Sequence, residues 1–71
     1  MYDMSVNHAY NYAEIDDDNM CVGAYSCTVP STNPRWIAIP VNDPEYCMKY
    51  YINGNWYVDS AGTTPWTSAL L

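Results

Sequence analysis

The chain has 71 residues and a formal net charge of −6, and its aromatic residues are eight Tyr and three Trp without Phe. A chain of this length forms one domain at most, and a domain of this size buries only about 60% of its unfolded surface. The two basic residues cannot form a basic patch, so neither nucleic acid nor an anionic membrane surface is an expected partner.

The N-terminal part of the sequence predicts an arm followed by a hairpin. Residues 1–8 are polar and have no periodicity, and we expect them to be ordered only when a partner holds them. Residues 9–16, AYNYAEID, contain β-forming residues in loose alternation, and residues 16–19, DDDN, supply a turn. Residues 20–27 form the return strand, in which Gly23 indicates a β-bulge or a close backbone approach.

The middle of the chain predicts a short strand at a sheet edge. Residues 28–35, TVPSTNPR, are a loop, and residues 36–41, WIAIPV, are an apolar strand. Pro40 cannot donate a hydrogen bond to a neighbouring strand, so this strand lies at an edge or ends there. Residues 42–45, NDPE, form the next turn.

A second hairpin is predicted around Asn53-Gly54, between strands at residues 46–52 and 56–59. Asn and Gly tolerate the positive φ angles that a type I′ turn requires. A two-residue loop pairs Tyr51 with Trp56 and Tyr50 with Tyr57, whereas a three-residue loop through Asn55 shifts the pairing by one residue. The sequence alone leaves both registers open.

These elements predict an all-β fold, because no segment shows a helical period and short strands alternate with turns. We expect a small antiparallel meander of four or five strands, with two hairpins and one edge strand, or a small open barrel. The domain covers residues 9–59, between an N-terminal arm at 1–8 and a C-terminal tail at 60–71. The tail ends in Leu70 and Leu71, which we expect to dock on this sheet or on a neighbouring subunit.

No pattern in the sequence predicts an enzyme, a cofactor or a metal site. The carboxylates at residues 16–18 do not fit a calcium loop, because the required Gly and Glu positions are occupied by Cys21 and Cys27. The single histidine, His8, has no adjacent nucleophile to activate. Glu14 and Glu45 resemble a glycosidase pair only in residue type, and the chain is too short for a cleft around them.

The three cysteines, Cys21, Cys27 and Cys47, are an odd set without a C-x-x-C pair. This pattern disfavours a disulfide scaffold or a zinc knuckle and favours small side chains that are buried or half-buried. One bridge from Cys21 or Cys27 to Cys47, formed after release into an oxidising medium, is the alternative.

The surplus of aromatic residues is the main functional signal. Neighbouring residues on a strand point to opposite faces of a sheet, so these rings cannot all enter one core. Tyr and Trp suit surfaces that are partly packed and partly wet, which favours a protein interface in a homo-oligomer or lattice. The predicted interface residues are Tyr50, Tyr51, Trp56, Tyr57, Trp66, Leu70 and Leu71. A carbohydrate platform on Trp56 and Tyr57, with Asn55 and Asp59 as polar partners, is the alternative.

The order of three motifs resembles a pattern in small tailed-bacteriophage virion proteins and in tail-fibre-associated β domains. The motifs are YAEIDDDNMCVGAYS, WIAIPVNDPEY and KYYINGNWY, and the resemblance spans about residues 9–58. It implies a virion structural part without catalysis, which binds other tail, fibre or capsid subunits. A tail or fibre accessory protein is the first expectation, and a capsid decoration protein on the head is the second.

Overall fold

The computed structural model describes residues 10–71, so the predicted arm at 1–8 and His8 lie outside the described residues. The described part of the chain forms five strands in two antiparallel sheets, which confirms the predicted all-β class. The strands are β1 (Tyr10–Ile15), β2 (Cys21–Cys27), β3 (Trp36–Ala38), β4 (Tyr50–Ile52) and β5 (Asn55–Tyr57). Within residues 10–71 the strands form no closed barrel.

The first sheet has the order β2-β1-β3, and all of its pairings are antiparallel. The β1–β2 hairpin turns at residues 16–20, where the Asp16 carboxylate accepts bonds from the backbone N–H groups of Asp18 (2.9 Å) and Met20 (3.0 Å). The pairing slips between Glu14 and Ile15, opposite Gly23 and Cys21 respectively. The bulge expected from a glycine in this strand is therefore confirmed.

The β3 strand is shorter than predicted and lies at one edge of this sheet, as its proline suggested. It ends at Ala38, although the N–H of Ile39 still donates to the Asn11 carbonyl at 2.9 Å. Pro40 follows and has no N–H with which to extend the pairing.

The second sheet is the hairpin of β4 and β5, and its register is that of a two-residue loop. Tyr51 pairs with Trp56 and Tyr50 with Tyr57. Asn53 and Gly54 have φ angles of 51° and 85°, as a type I′ turn requires.

The predicted strand over 46–52 is wrong in its first half. Pro44–Tyr46 is a 3-10 helix, whose N-cap Asp43 accepts a bond from the Glu45 N–H at 2.9 Å. Met48 then adopts a φ of 71°, which is not a strand conformation. A capping Asp followed by Pro at the first helical position explains why this segment turns before β4 begins.

The two sheets are joined where β4 meets the start of β2. Met20 and Tyr50 form an antiparallel bridge, and the Tyr51 N–H donates to the Asn19 carbonyl at 2.9 Å. One residue further on, the Cys21 N–H donates to the Lys49 carbonyl at 2.8 Å. Backbone hydrogen bonds therefore continue from β2 to β4 across the junction, although the two strands belong to separate sheets.

The C-terminal segment, residues 60–71, is hydrogen-bonded to the rest of the domain and does not extend from it as a separate arm. Tyr57 bridges to Pro65, and the Trp66 N–H donates to the Trp56 carbonyl at 2.9 Å. The buried hydroxyl of Ser68 donates to the carboxylate of Asp43, which ties the segment to the 3-10 helix.

The core is small and lies between the first sheet and the 3-10 helix. The buried hydrophobic cluster of the described residues is Ala13, Cys21, Ile39 and Tyr46, with Val41, Cys47, Trp56 and Trp66 packed against it. Tyr12 is buried on the other face of the first sheet, where its hydroxyl accepts a bond from the Ser31 N–H at 2.8 Å. The loop at 28–35 therefore covers part of the face opposite the core.

Two glycines with positive φ provide a matched test of these turns. An added Cβ at Gly54 (φ 85°) meets no atom within 4 Å, whereas at Gly62 (φ 70°) it lies 3.2 Å from Cδ1 of Ile52. Left-handed backbone strains any residue with a Cβ, so we expect Gly54→Ala to lower the free energy of unfolding by about 1 kcal/mol. Gly62→Ala should cost more, because Ile52 must also move. Urea unfolding of both variants measures the difference, and an equal loss would contradict the contact at Gly62.

Candidate functional site

The predicted interface residues divide into a packed group and an exposed group. The packed group surrounds Tyr46 of the 3-10 helix, which was not among the predicted interface residues. The Tyr46 ring makes T-shaped contacts with Trp56 and Trp66 at centroid distances of 5.0 and 4.8 Å. Tyr51 contacts Trp56 from the paired strand at 5.0 Å. These side chains form one connected cluster, which we call the central aromatic cluster: Tyr46, Tyr51, Trp56 and Trp66.

The central aromatic cluster assigns a structural part to three predicted interface residues. Trp56, Trp66 and Tyr51 are half-buried. The rings of Trp56 and Trp66 contact Tyr46, and the ring of Tyr51 contacts Trp56. Tyr50 and Tyr57 are also half-buried and pair with each other across the hairpin. The structure therefore places Tyr50, Tyr51, Trp56 and Tyr57 on the second hairpin, with Trp66 beside it.

Leu70 and Leu71 form the exposed group. Their relative exposures are 62% and 66%, although the backbone that carries them is held in place. The Leu70 N–H donates to the Ser68 hydroxyl at 3.1 Å, and the Leu71 N–H to the Ser68 carbonyl at 3.3 Å. Two apolar side chains are thus presented to solvent from an anchored segment.

A shallow cavity of about 170 Å³ lies beside Leu70. It is lined by Asp43, Glu45, Trp66, Thr67, Ala69 and Leu70. The Lys49 ammonium lies 4.9 Å from the centroid of the Trp66 ring and donates to the Glu45 carbonyl at 3.1 Å. We call this cavity together with Leu70 and Leu71 the C-terminal surface.

A second group of rings was not predicted as an interface and lies on the first sheet, away from the core. Tyr25 of β2 stacks on Trp36 of β3 with a centroid distance of 4.7 Å and an interplanar angle of 15°. The Tyr25 hydroxyl donates to Glu14 at 2.9 Å, and this bond raises the pKa of Tyr25. The stack crosses the middle strand β1, and the sequence signal for it was the bulge glycine, since the Tyr25 ring occupies the space above Gly23.

Asp43 and Asp59 are the acidic residues whose carboxylates hold the C-terminal segment. The pKa of Asp43 is lowered, first by the hydrogen bond from Ser68 and then by the Glu45 N–H. The pKa of Asp59 is lowered, first by the Thr63 hydroxyl and then by the Thr64 N–H. Sequence reasoning missed the Asp43–Ser68 pair, because nothing in the local pattern relates residues 25 positions apart.

These shifts predict a loss of stability in acid. A carboxyl group whose pKa is lower in the folded state stabilises the fold above its unfolded pKa, here the ordinary value of 3.8. We expect the free energy of unfolding to fall as the pH drops below 3.8 and through the lowered folded values. Urea unfolding between about pH 6 and about pH 2 measures this decrease. D43N should flatten part of the dependence, and an unchanged slope in D43N would contradict the assignment.

The carbohydrate alternative gains no support from its polar residues. The Asp59 carboxylate accepts bonds from the N–H groups of Thr63 and Thr64, both at 3.0 Å, and from the Thr63 hydroxyl. Its acceptor positions therefore serve its own loop. The side-chain amide of Asn55 donates to the Asn53 carbonyl at 3.4 Å, within the turn between β4 and β5.

The structure also bears on a metal site, a membrane-spanning helix and the Glu14–Glu45 pair. In residues 10–71, no group of three or more His, Cys, Asp or Glu side chains converges as a metal site requires. The same residues contain no helix that is long and apolar enough to cross a membrane. Glu14 lies on β1 and Glu45 on the 3-10 helix, and each has a different neighbour: Tyr25 for Glu14 and the cavity for Glu45.

Protein-family models, curated proteins and solved structures were each compared with the chain, and none of the three comparisons found a match.

Proposed function

We propose that the chain is a structural protein of a bacteriophage virion, an accessory or adaptor component of the tail or fibre apparatus that assembles with copies of itself and with other virion proteins. The proposal rests first on how the apolar side chains are distributed. Among residues 10–71, five hydrophobic residues are buried, whereas eight large hydrophobic residues are exposed. The exposed residues are Tyr10, Val22, Tyr25, Val29, Met48, Val58, Leu70 and Leu71.

Such a distribution favours a protein that is completed by its neighbours. Soluble monomers carry scattered apolar residues, but contiguous exposed patches mark interfaces. On the C-terminal surface Leu70 and Trp66 line the same cavity, and the exposed Leu71 follows Leu70 in the chain. This surface is our principal candidate for the contact with a neighbouring subunit.

The edges of the first sheet offer a second type of contact. In the described residues β2 and β3 are the outer strands of this sheet. An edge strand presents unpaired backbone N–H and C=O groups that can pair with a strand of another chain. The beginning of β2 is already occupied by Met48 and Lys49, so the rest of β2 and the short β3 remain for such pairing.

The energetics favour several contacts per subunit over one. A standard interface buries about 800 Å² on each partner, and most of its gross apolar contribution is offset by lost freedom of motion. Burying one Leu side chain contributes roughly 1.5–3 kcal/mol. A ring or lattice, in which each subunit uses the C-terminal surface and a sheet edge, multiplies these contributions without a large single interface.

Mass spectrometry of gradient-purified phage particles tests the proposal. We expect the chain to be present in a fixed copy number and to remain after washing at high salt, because the proposed contacts are largely apolar. A copy number of three or six per particle supports the tail or fibre position, whereas many equivalent copies support the alternative of capsid decoration. Absence of the chain from purified particles would contradict both positions.

A further inference from the structure

Two of the three cysteines meet at the junction between the sheets. Cys21 begins β2 and is only 1% exposed, and Cys47 packs against the same core cluster. Cys27 lies at the opposite end of β2, where its pairing partner is Tyr10. The sequence left open whether Cys21 or Cys27 is the closer partner of Cys47, and the fold decides for Cys21.

The backbone fixes the approach of Cys47 to Cys21. The Met48 N–H donates to the Cys21 carbonyl, and the Cys21 N–H donates to the Lys49 carbonyl, both at 2.8 Å. The Cys47 N–H donates to the Pro44 carbonyl at 3.0 Å, so the residue is held as the C-cap of the 3-10 helix. Bonds on both sides of Cys47 therefore keep this turn against the first residue of β2.

The Cys21 thiol donates a hydrogen bond to the Gly23 carbonyl at 3.2 Å, and the Cys47 thiol lies next to it. Burial raises the pKa of the Cys21 thiol to about 11, and the adjacent Cys47 thiol adds to the shift through its charge and a side-chain hydrogen bond. Cys47 is half-buried and more accessible than Cys21. The pair therefore consists of one accessible sulfur and one enclosed sulfur.

We propose that Cys21 and Cys47 form a redox site that closes to an intramolecular disulfide on reaction with a small disulfide such as oxidised glutathione, while Cys27 stays outside the bridge. The Cys47 thiolate attacks one sulfur of glutathione disulfide and releases one glutathione thiolate. The Cys21 thiolate then attacks the Cys47 sulfur of this mixed disulfide and releases the second glutathione. Two protein thiols are oxidised and one glutathione disulfide is reduced to two glutathione molecules.

Cys47 attacks first because it is more accessible than Cys21, and the thiolate content of Cys21 governs the second step. Only the accessible sulfur can meet the oxidant, and the enclosed sulfur acts in the second step because it already lies beside its target. Since the pKa of Cys21 is far above neutrality, its thiolate fraction rises about tenfold with each pH unit. Ring closure should therefore accelerate by about that factor per pH unit between neutral and mildly alkaline solution.

The bridge would fasten the start of β2 to the turn that follows the 3-10 helix and leads into β4. It closes a loop over residues 22–46, and cross-links of that span reduce the freedom of the unfolded chain. We expect the oxidised protein to melt roughly 10 °C or more above the reduced protein. Closure would make the small domain less dependent on its neighbours for stability.

The test treats the full chain with oxidised glutathione, traps remaining thiols by alkylation, and maps the products by peptide mass spectrometry. We expect the bridge itself to lower the mass by two hydrogen atoms, and we expect a peptide linked through Cys21 and Cys47. Cys27 should carry the alkyl group or a single glutathione and take no part in the bridge. C27S should oxidise in the same way, and C21S should stop as the glutathione adduct of Cys47. Oxidation in a denaturing concentration of urea should lose this selectivity, which shows that the native fold directs the reaction.

Three results would overturn the proposal. They are a bridge that contains Cys27, dimers linked between chains as the main product, or three alkylated thiols after prolonged oxidation of the native chain. Because C27S retains both reacting sulfurs and alters a half-buried position, its oxidation can be followed even where C21S fails to fold. The mapped disulfide does not depend on the proposed virion role, so a negative result for one proposal does not contradict the other.

Discussion

Replacing Tyr46 by Ala is expected to leave the domain largely unfolded. The Tyr46 ring is 3% exposed and supports both Trp56 and Trp66 edge to face. Truncating a buried aromatic residue to Ala costs about 3–5 kcal/mol. A chain of this length has a total stability of roughly 4–11 kcal/mol, so the loss removes a large part of it or all of it.

The measurements for this variant are near-UV circular dichroism and urea unfolding. We expect the near-UV signal of the tryptophans to collapse in Y46A, because both rings lose their fixed neighbour. Y46F is the matched control, since it keeps the ring and removes only the hydroxyl, and it should unfold close to the unmodified chain. A cooperative transition in Y46A within about 1 kcal/mol of the unmodified protein would contradict the role of the central aromatic cluster.

Replacing Leu70 and Leu71 by Asp is expected to abolish self-association while the fold remains. Both side chains are exposed in the single chain, and the backbone bonds that hold them come from Ser68, which is unchanged. Each buried Leu contributes roughly 1.5–3 kcal/mol to an interface. Losing two of them should weaken association at least about 100-fold, before the cost of burying the new carboxylates is added.

The controls for this variant separate the interface from general solubility. V29D changes an apolar residue as exposed as Leu71, at 66%, and adds one negative charge outside the C-terminal surface, compared with two in L70D/L71D. L70S/L71S removes the apolar side chains without adding charge. We expect L70S/L71S to dissociate and V29D to associate like the unmodified chain. Equal loss of association in V29D would mean that added negative charge, and not the C-terminal surface, is responsible.

Local sequence rules predicted the hairpins well, because turn chemistry acts over a few residues. The Asn53-Gly54 turn, the bulge at Gly23 and the edge position of β3 each follow from the backbone freedom of one or two residues. The register of the second hairpin was left open by the sequence, since Asn55 suits a turn as well as a strand. The structure decides it by pairing Ile52 with Asn55.

The same rules failed where a distant contact decides the conformation. Residues 46–49 have the composition of a strand, yet the cap by Asp43 and the positive φ of Met48 turn them away. The position of Met48 is set by its bond to the Cys21 carbonyl, 27 residues earlier in the chain. No local pattern encodes such a pairing, so the division into two sheets was also not predictable.

The candidate site was predicted in composition but not in arrangement. The aromatic residues around the second hairpin were identified from their number, whereas their grouping about Tyr46 depends on the 3-10 helix. The exposure of Leu70 and Leu71 depends on Ser68, which enters the domain interior and turns the last residues outward. The Tyr25–Trp36 stack was missed because it joins two strands that do not pair with each other.

Sedimentation equilibrium of the reduced full chain over a wide concentration range tests most directly whether this domain is completed by its neighbours. We predict an average mass above that of the monomer, which rises with concentration and returns to the monomer value in L70D/L71D. A mass that stays at the monomer value at every concentration, together with a highly stable fold, would contradict the account.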